Sequence, residues 1–582
     1  MFLVILVTAF QFFNMNKLTI LPLLYFFLTG CSSVNTAGQP DIIEGKGIST
    51  DNGIVVSAHR QASLAGVKVL MKGGNAVDAA VATEFALAVC YPEAGNIGGG
   101  GFMLIRTKEG KTDIFDYREK APALSNRDMY LDKKGNVIEG LSTATGLASG
   151  VPGSVDGMIN AHTKYGRLPF SDVIQPAIDL AYNGFPVTAR QADDLNSSRK
   201  QFIERNSRRP AFVKDSLWKE GDLLIQKDLA ATLCLIRDYG RDGFYSGKTA
   251  HLIIKEMKRG NGIITLSDLS NYRSISRSPL TTNYRNHNII TAPPPSGGGI
   301  ILIQQLAMIE PFPVSDSGFH SLFNVHLIVE AERRAFADRA EYMGDPDFMK
   351  IPAGMLISRK YISQRMNDFD RNKASLSSVI KAGNPAAYES DETTHYSVVD
   401  SEGNAVSTTT TLNGTFGSCI VVDSSGFLLN NQMDDFSVKP GFPNMYGLVG
   451  GETNSVQPEK RMLSSMTPVI VEKEGKLFLV AGSPGGSTIP TSVFQVLINV
   501  IDFGMSVQDA VDAGRFHHQW MPDQLVYENN SFDTVLIKRL TGMGHELKSR
   551  IAIGRVNAIM VNSDGLRWGG ADKRGDNSAC GY

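Results

Sequence analysis

Two threonines, Thr393 and Thr394, sit where an acidic stretch gives way to a strand-like pattern, in "YESDETTHYS" at 388–397. A threonine hydroxyl is a poor nucleophile unless a base lies beside it. One base a threonine can gain is its own α-amino group, once it becomes a chain terminus. The flanking residues extend that chemistry. "THYSVVD" and "AVSTTTTL" enclose the turn-rich "SEGN" at 401–404, which predicts a hairpin. If Asp400 faces Ala405, Thr393 lies opposite Leu412, with Thr411 and Asn413 to either side as a hydroxyl to orient the nucleophile and an amide to bind a polar group. The plainer account is that threonine simply favours strands. Further on, "LFLVAGSPGGSTIPTSVFQVL" reads as strand, glycine-rich turn and helix, so the N–H groups of Gly485 and Gly486 can meet an anion or a developing oxyanion. A plain Gly-Pro-Gly turn explains the same residues, and the lysine and spacing of a P-loop are absent.

These residues need a frame, and the rest of the chain predicts one. Residues 52–58 read as a strand. "RQASLAGVKVLMKGG" and "NAVDAAVATEFALAVC" read as helices, the first ended by Gly73-Gly74 and the second capped by Asn75. "GGGGFMLIRT" and "TDIFDYRE" form a hairpin around Lys108–Lys111, residues 150–375 are mostly helical, and strand patterns dominate from Thr393, "GFLLNN" among them. Strand pairs on both sides of residue 393, each accompanied by helices, predict an α/β fold of sheets between helical layers with one shared core.

The 582 residues are 42% hydrophobic and 20% charged with a net charge of −2, which describes a soluble globular chain and gives no electrostatic case for nucleic acid. At the N-terminus, Met15, Lys17, a short apolar run and "LTGC" compose an export signal over residues 1–31 that starts at Met15 and ends in a lipobox at Cys31. An ordinary signal peptide or a retained anchor would read similarly. Residues 32–44 follow as a polar linker. Apart from Cys31, the cysteines at 90, 234, 419 and 580 are too few and too scattered for a disulfide framework and read as buried thiols. His517-His518, taken as helical neighbours, have no carboxylate or cysteine at ligand spacing, and "GNIGGGG" lacks the order of a dinucleotide loop, so no metal or cofactor is expected.

Nine segments in order, "GNIGGGGFM", "FDYREKAP", "GVPGSVDG", "TTHYSVVD", "LNGTFG", "LLNNQMDDFS", "PNMYGLVGG", "KRMLSSMTP" and "GSPGGS", closely resemble the γ-glutamyltranspeptidases, as does the ending "GADKRGDNSACGY". The resemblance runs from about residue 45 to 582. It implies an N-terminal-nucleophile hydrolase with a four-layer αββα sandwich, made as a precursor that cuts itself between Glu392 and Thr393. The large subunit would be 45–392 and the small, catalytic subunit 393–582, paired as a heterodimer on one core. It further implies Thr393 as nucleophile and, through its amino group, base, with Thr411 positioning it and Gly485–Gly486 as oxyanion hole. For the glutamyl end it implies Arg118, Ser464 and Ser465 on the carboxylate, Asp435 on the ammonium with Asn413 and Gln432 beside it, and Tyr446 in a covering loop. The implied substrates are glutathione and other γ-glutamyl compounds, with water, amino acids or dipeptides as acceptors. The N-terminal signal and lipobox, for their part, predict an exported, periplasmic protein on a lipid anchor, with the outer membrane open to it. Lys573 departs from the family, standing where proline is common, and Cys419 lies near the active hairpin. A cephalosporin acylase or poly-γ-glutamate-processing relative would share much of this pattern. An uncut lipoprotein that only binds is the non-enzymatic alternative.

Overall fold

The computed structural model describes residues 41–381 and 393–582, and the account here is of the unit Ile42–Tyr582. The leader at 1–31 with Cys31, the linker up to residue 40, and Glu392 lie outside the described residues.

Two antiparallel sheets stack face to face. The first has eight strands, in the order Ile43–Gly45, Ser578–Gly581, Ile54–Ser57, Thr394–Val399, Ala405–Thr411, Gly100–Arg106, Thr112–Asp116 and Ile275–Arg277. The second has seven, in the order Ile48–Thr50, Arg567–Ala571, Asn557–Val561, Lys476–Gly482, Val469–Lys473, His287–Thr291 and Leu280–Tyr284. Alternation along each strand separates the layers. Ile54 and Val56 join Phe102, Leu104, Ile470, Val480 and Ile559 between the sheets, whereas Val55, Met103 and Ile105 face outward into helices. Strands buried on both faces read as unbroken apolar runs such as "IVV". Helices including Arg60–Met71, Ala76–Cys90 and Phe170–Asn183 cover the first sheet, and Gly298–Ile309, Leu322–Tyr342 and Ile489–Ile501 cover the second. The layers run helix, sheet, sheet, helix, as the sequence predicts.

The helix starts follow from local chemistry. Asn75 Oδ1 accepts from the N–H groups of Val77 and Asp78, and Asp78 Oδ2 accepts from Asn75 N at 2.9 Å, a complete capping box. All 15 residues of Ala76–Cys90 are buried, which its small side chains allow.

Four expectations are corrected. Ile43–Gly45, assigned partly to the linker, is the edge strand beside Ser578–Gly581. The helical middle also contributes the strands Ile275–Arg277, Leu280–Tyr284 and His287–Thr291, whose threonines and asparagines hid them. "GFLLNN" forms only a bridge between Val421 and Leu428, and the Asn430 side chain at its end donates to the carbonyls of Gly98 and Gly150 and accepts from Gly150 N. The hairpin that follows Thr393 is shifted by one residue: Val399 pairs with Ala405 and Thr394 with Thr410. Its loop has three residues, Ser401–Gly403, with Gly403 at φ 89°, and the Asp400 carboxylate accepts from the N–H groups of Glu402 and Asn404 at 2.9 Å each.

Candidate active site

The one-residue shift sets Thr393 across from Thr411, and their hydroxyl oxygens lie 3.5 Å apart. Thr411 Oγ1 also accepts from Asn413 N at 2.8 Å, which orients the hydroxyl that faces Thr393. Asn413 itself has left the strand, at φ 78°. The glycine run of "GNIGGGG" lets the neighbouring backbone approach: a Cβ on Gly99 would stand 2.1 Å from Thr411 O. Inside the sandwich, His395 hydrogen-bonds Thr409 Oγ1 and Ser397 Oγ at 3.0 and 3.1 Å, and burial pushes its pKa down to about 3, so it stays neutral. The strand Thr394–Val399 that follows Thr393 is thereby held on its inner face by a fixed polar strip.

Below Thr393 lies a pair of opposite charges. Arg118, 1% exposed, donates to Asp435 Oδ2 at 2.5 Å and to the carbonyl of Leu463 at 3.1 Å, while its Nε donates to Met462 O at 3.3 Å. Gln432 Nε2 and Asn444 Nδ2 donate to the two oxygens of Asp435 at 2.7 and 3.1 Å. Glu119, also beside Arg118, is pushed up to about 7 by burial, which the Arg118 charge offsets only in part. Ser464 is fixed by backbone bonds to Pro295 and Gly297, and Ser465 Oγ is a buried hydroxyl without a hydrogen-bond partner among the described residues.

The roof is the segment 443–451. Tyr446 donates from its hydroxyl to Asn413 O, and its ring covers Gly486, where a Cβ would lie 2.7 Å from the ring. Gly486, at φ 52°, lines the cavity with Thr393; Gly485, at φ 132°, is not among the lining residues and forms the turn behind, its carbonyl accepting from Thr488 N and Oγ1. Arg118, Thr411, Asn413, Gln432, Asp435, Tyr446, Ser464 and Ser465 line that same cavity. Its volume is about 20 Å³, room for roughly one water. A ligand of amino-acid size needs more room than that.

Asp434, next to Asp435, holds that roof: its carboxylate accepts from Met445 N and from Ser142 Oγ, each at 2.8 Å. Burial raises its pKa to about 6, and the Asp435 charge adds to the rise. A raised carboxyl favours the folded state most below its unfolded pKa, and that contribution is lost as pH climbs through about 6. Asp434→Asn keeps the shape without the charge. Relative to wild type it should gain on the order of 2–3 kcal/mol between pH 4 and pH 7. Denaturant midpoints at the two pH values check this, and a constant difference between the proteins would refute it.

Sequence reasoning missed several contributors. Asn454 ties the wall together, donating to Asp435 O and accepting from Leu463 N. Arg339, at the end of Leu322–Tyr342, also lines the cavity, and nothing in its sequence context marks it. His517 lies on the strand Phe516–His517, not a helix, and bonds Thr491 Oγ1 and Gln519 Oε1; Gln519 Nε2 in turn donates to Tyr446 O at 3.3 Å. Among the described residues, His326, Glu330 and His545 approach as metal ligands do. The two rings, however, hydrogen-bond each other through His326 Nδ1 and His545 Nε2 at 2.8 Å, and Glu330 is taken by Arg333 and Arg334, so these ligand atoms are already engaged; His545 Nδ1 alone in the group is buried with no hydrogen-bond partner among the described residues. Cys90, Cys419 and Cys580 are buried, and burial pushes the Cys419 and Cys580 thiols up to about 11 and about 12, which leaves them unreactive at neutral pH. Lys573 donates its backbone N–H to Asp512 at 3.0 Å, a bond that proline could not make.

The gamma-glutamyltranspeptidase family model matches residues 62–582. The glutathione hydrolase proenzyme of Escherichia coli is 48% identical over 538 residues, covering 92% of this chain and 93% of that protein. Among solved structures, cephalosporin acylase from Bacillus halodurans aligns with a TM-score of 0.80 at 25% identity, over 92% of this chain and 97% of that one. Helicobacter pylori gamma-glutamyltranspeptidase aligns with a TM-score of 0.56 at 45% identity, over 57% of this chain and 96% of that one.

Proposed function

The chain belongs to the gamma-glutamyltranspeptidase family, and on that footing we propose that it is a self-processing γ-glutamyltransferase and glutathione hydrolase with Thr393 as nucleophile. The observation that carries this reading is the Thr393 hydroxyl, 3.5 Å from Thr411 Oγ1, in one cavity with the Arg118–Asp435 pair. In the precursor the hydroxyl attacks the carbonyl of Glu392, the peptide nitrogen leaves as the new α-amino group, and water hydrolyses the resulting ester. Residues 45–392 and 393–582 are then separate chains.

In the cut enzyme that α-amino group, with an ordinary pKa near 8, takes the hydroxyl proton as the oxygen attacks a γ-glutamyl carbonyl. The oxyanion is met by the N–H of Gly486, with Gly485 shaping the turn that aims it. The proton passes to the departing amine, leaving an ester on Thr393 that water or an acceptor amine resolves. The charged end of the substrate explains the charge pair. An α-carboxylate can replace Asp435 on Arg118 while the α-ammonium replaces Arg118 on Asp435, so a zwitterion splits a pair that otherwise satisfies itself. Ser464, Ser465, Asn413 and Gln432 supply neutral bonds around it, and the Tyr446 roof closes over the acyl group.

On sequence grounds the reading extends to export, lipid attachment at Cys31 and a periplasmic location. No helix among the described residues is long and apolar enough to cross a membrane.

The test is a pair of anilides. A γ-glutamyl anilide should be hydrolysed at least about 10²-fold more efficiently than a glutaryl anilide, which lacks the ammonium and leaves Asp435 without its partner. The reverse preference would replace this reading with that of a glutaryl-type acylase, and no turnover of either would leave only the binding protein.

A further inference from the structure

The cavity holds more positive charge than the exchange just described needs. Arg118 is fully engaged by Asp435, Glu119 and two carbonyls. Arg339 is not. It is 5% exposed, it lines the cavity with Thr393, and its Nε is a buried donor with no hydrogen-bond partner among the described residues. A buried guanidinium whose Nε finds no hydrogen-bond partner among the described residues is costly and persists where something rewards it. Burial lowers its pKa only to about 10, with Asp435 countering and Arg118 adding to the fall, so it is charged at neutral pH. Its place in the last turn of Leu322–Tyr342 suits a cation, but that favours any basic side chain and does not require a fork aimed into the cavity.

The charge around the cavity therefore comprises two guanidinium groups and the Asp435 carboxylate, with Glu119, whose pKa burial raises to about 7, beside Arg118. Once a substrate ammonium takes Asp435, two guanidiniums face whatever anion the same substrate carries. We infer that Arg339 is a specificity-determining residue that grips the substrate α-carboxylate together with Arg118, an assignment that rests on the γ-glutamyl reading of this site. Five N–H donors in a rigid fork allow Arg339 to take the carboxylate oxygen that Arg118 does not reach.

The experiment deletes each half of the contact in turn. Wild type, Arg339→Met and Arg339→Lys are purified, their cleavage into two chains is verified on a denaturing gel, and kcat/KM is measured for two substrates. One is γ-glutamyl anilide; the other is 4-aminobutanoyl anilide, the same acyl group without its α-carboxylate. Arg339→Met should lose about 10²-fold on the first and less than about threefold on the second. Arg339→Lys, which keeps the charge but not the fork, should lose about tenfold on the first alone. Equal losses on both substrates, in either variant, assign Arg339 a purely structural role and overturn the inference. If Arg339→Met does not fold or process, the lysine variant decides by the same comparison. A wild-type protein inert toward γ-glutamyl anilide overturns the enzymatic reading itself, and this assignment with it.

Discussion

Thr393→Ala should leave the chain whole and inert. A denaturing gel should show one band where wild type shows two, the smaller of which begins Thr-Thr-His-Tyr. Turnover of γ-glutamyl anilide should fall by at least about 10⁴-fold, because one hydroxyl serves both the self-cleavage and the acyl transfer. The fold should survive. Thr393 is 4% exposed and contributes a single hydroxyl at the end of its strand, and Thr411 keeps its bond from Asn413 N. Unchanged far-ultraviolet circular dichroism would separate lost chemistry from lost structure. Thr393→Ser, which retains a hydroxyl, should still process and retain measurable turnover. An alanine variant that split normally would mean that another group cuts the chain, and Thr393 would lose its assignment.

The second large effect is expected from Asp435→Asn. Asparagine preserves the shape and one acceptor for Gln432, so what disappears is the charge. The substrate ammonium then meets an amide, and kcat/KM for γ-glutamyl anilide should drop about 10²–10³-fold, mostly through KM. Glutaryl anilide has no ammonium to lose, so the preference between the two acyl groups should collapse toward unity. Stability should also fall, because Arg118 is left in the interior with less compensation. Breaking a buried pair typically costs about 3–5 kcal/mol. The lower end applies here, since Arg118 keeps Glu119 and two carbonyls while the Asp435 side chain is already 14% exposed. With Asp435 neutral, Glu119 loses one of the charges that raise its pKa and should ionise more readily. An unchanged KM would contradict the role given to Asp435.

The candidate nucleophile, Thr393, could be singled out in the sequence because its neighbourhood is local. Thr393, its hairpin and the glycine turn each lie within a few residues of their own signals. The same holds for the capped start of Ala76–Cys90 and the glycines that end the helix before it. The register was not legible, because Gly403 can enter the left-handed region and turn a four-residue connection into a three-residue loop. A shift of one residue moves every side chain to the other face. Arg339 was invisible for a different reason. Leu322–Tyr342 carries Glu330, Glu332, Arg333, Arg334, Asp338 and Arg339, which read as a solvated face, yet all six are buried. Glu330 binds Arg333 and Arg334, and Asp338 binds Arg365. Only the packed structure separates Arg339, which has no such ion-pair partner among the described residues, from the cations that do.

The order of the strands has a consequence for the lifetime of the molecule. Ile54–Ser57 is flanked by Ser578–Gly581 on one side and Thr394–Val399 on the other, and Gly100–Arg106 borders Ala405–Thr411. In the second sheet, His287–Thr291 pairs with Val469–Lys473 and Ile48–Thr50 with Arg567–Ala571. A cut before Thr393 thus leaves two fragments, neither of which owns a complete sheet. The uncut chain can unfold and find its way back alone, since its halves are tethered at a high effective concentration. A severed molecule that comes apart must meet its counterpart in dilute solution, with long apolar edges exposed meanwhile. Such a cut would therefore discard reversibility. A chain severed before Thr393 would have assembled once, in one piece, and would afterwards endure only through the slowness with which its interleaved halves separate.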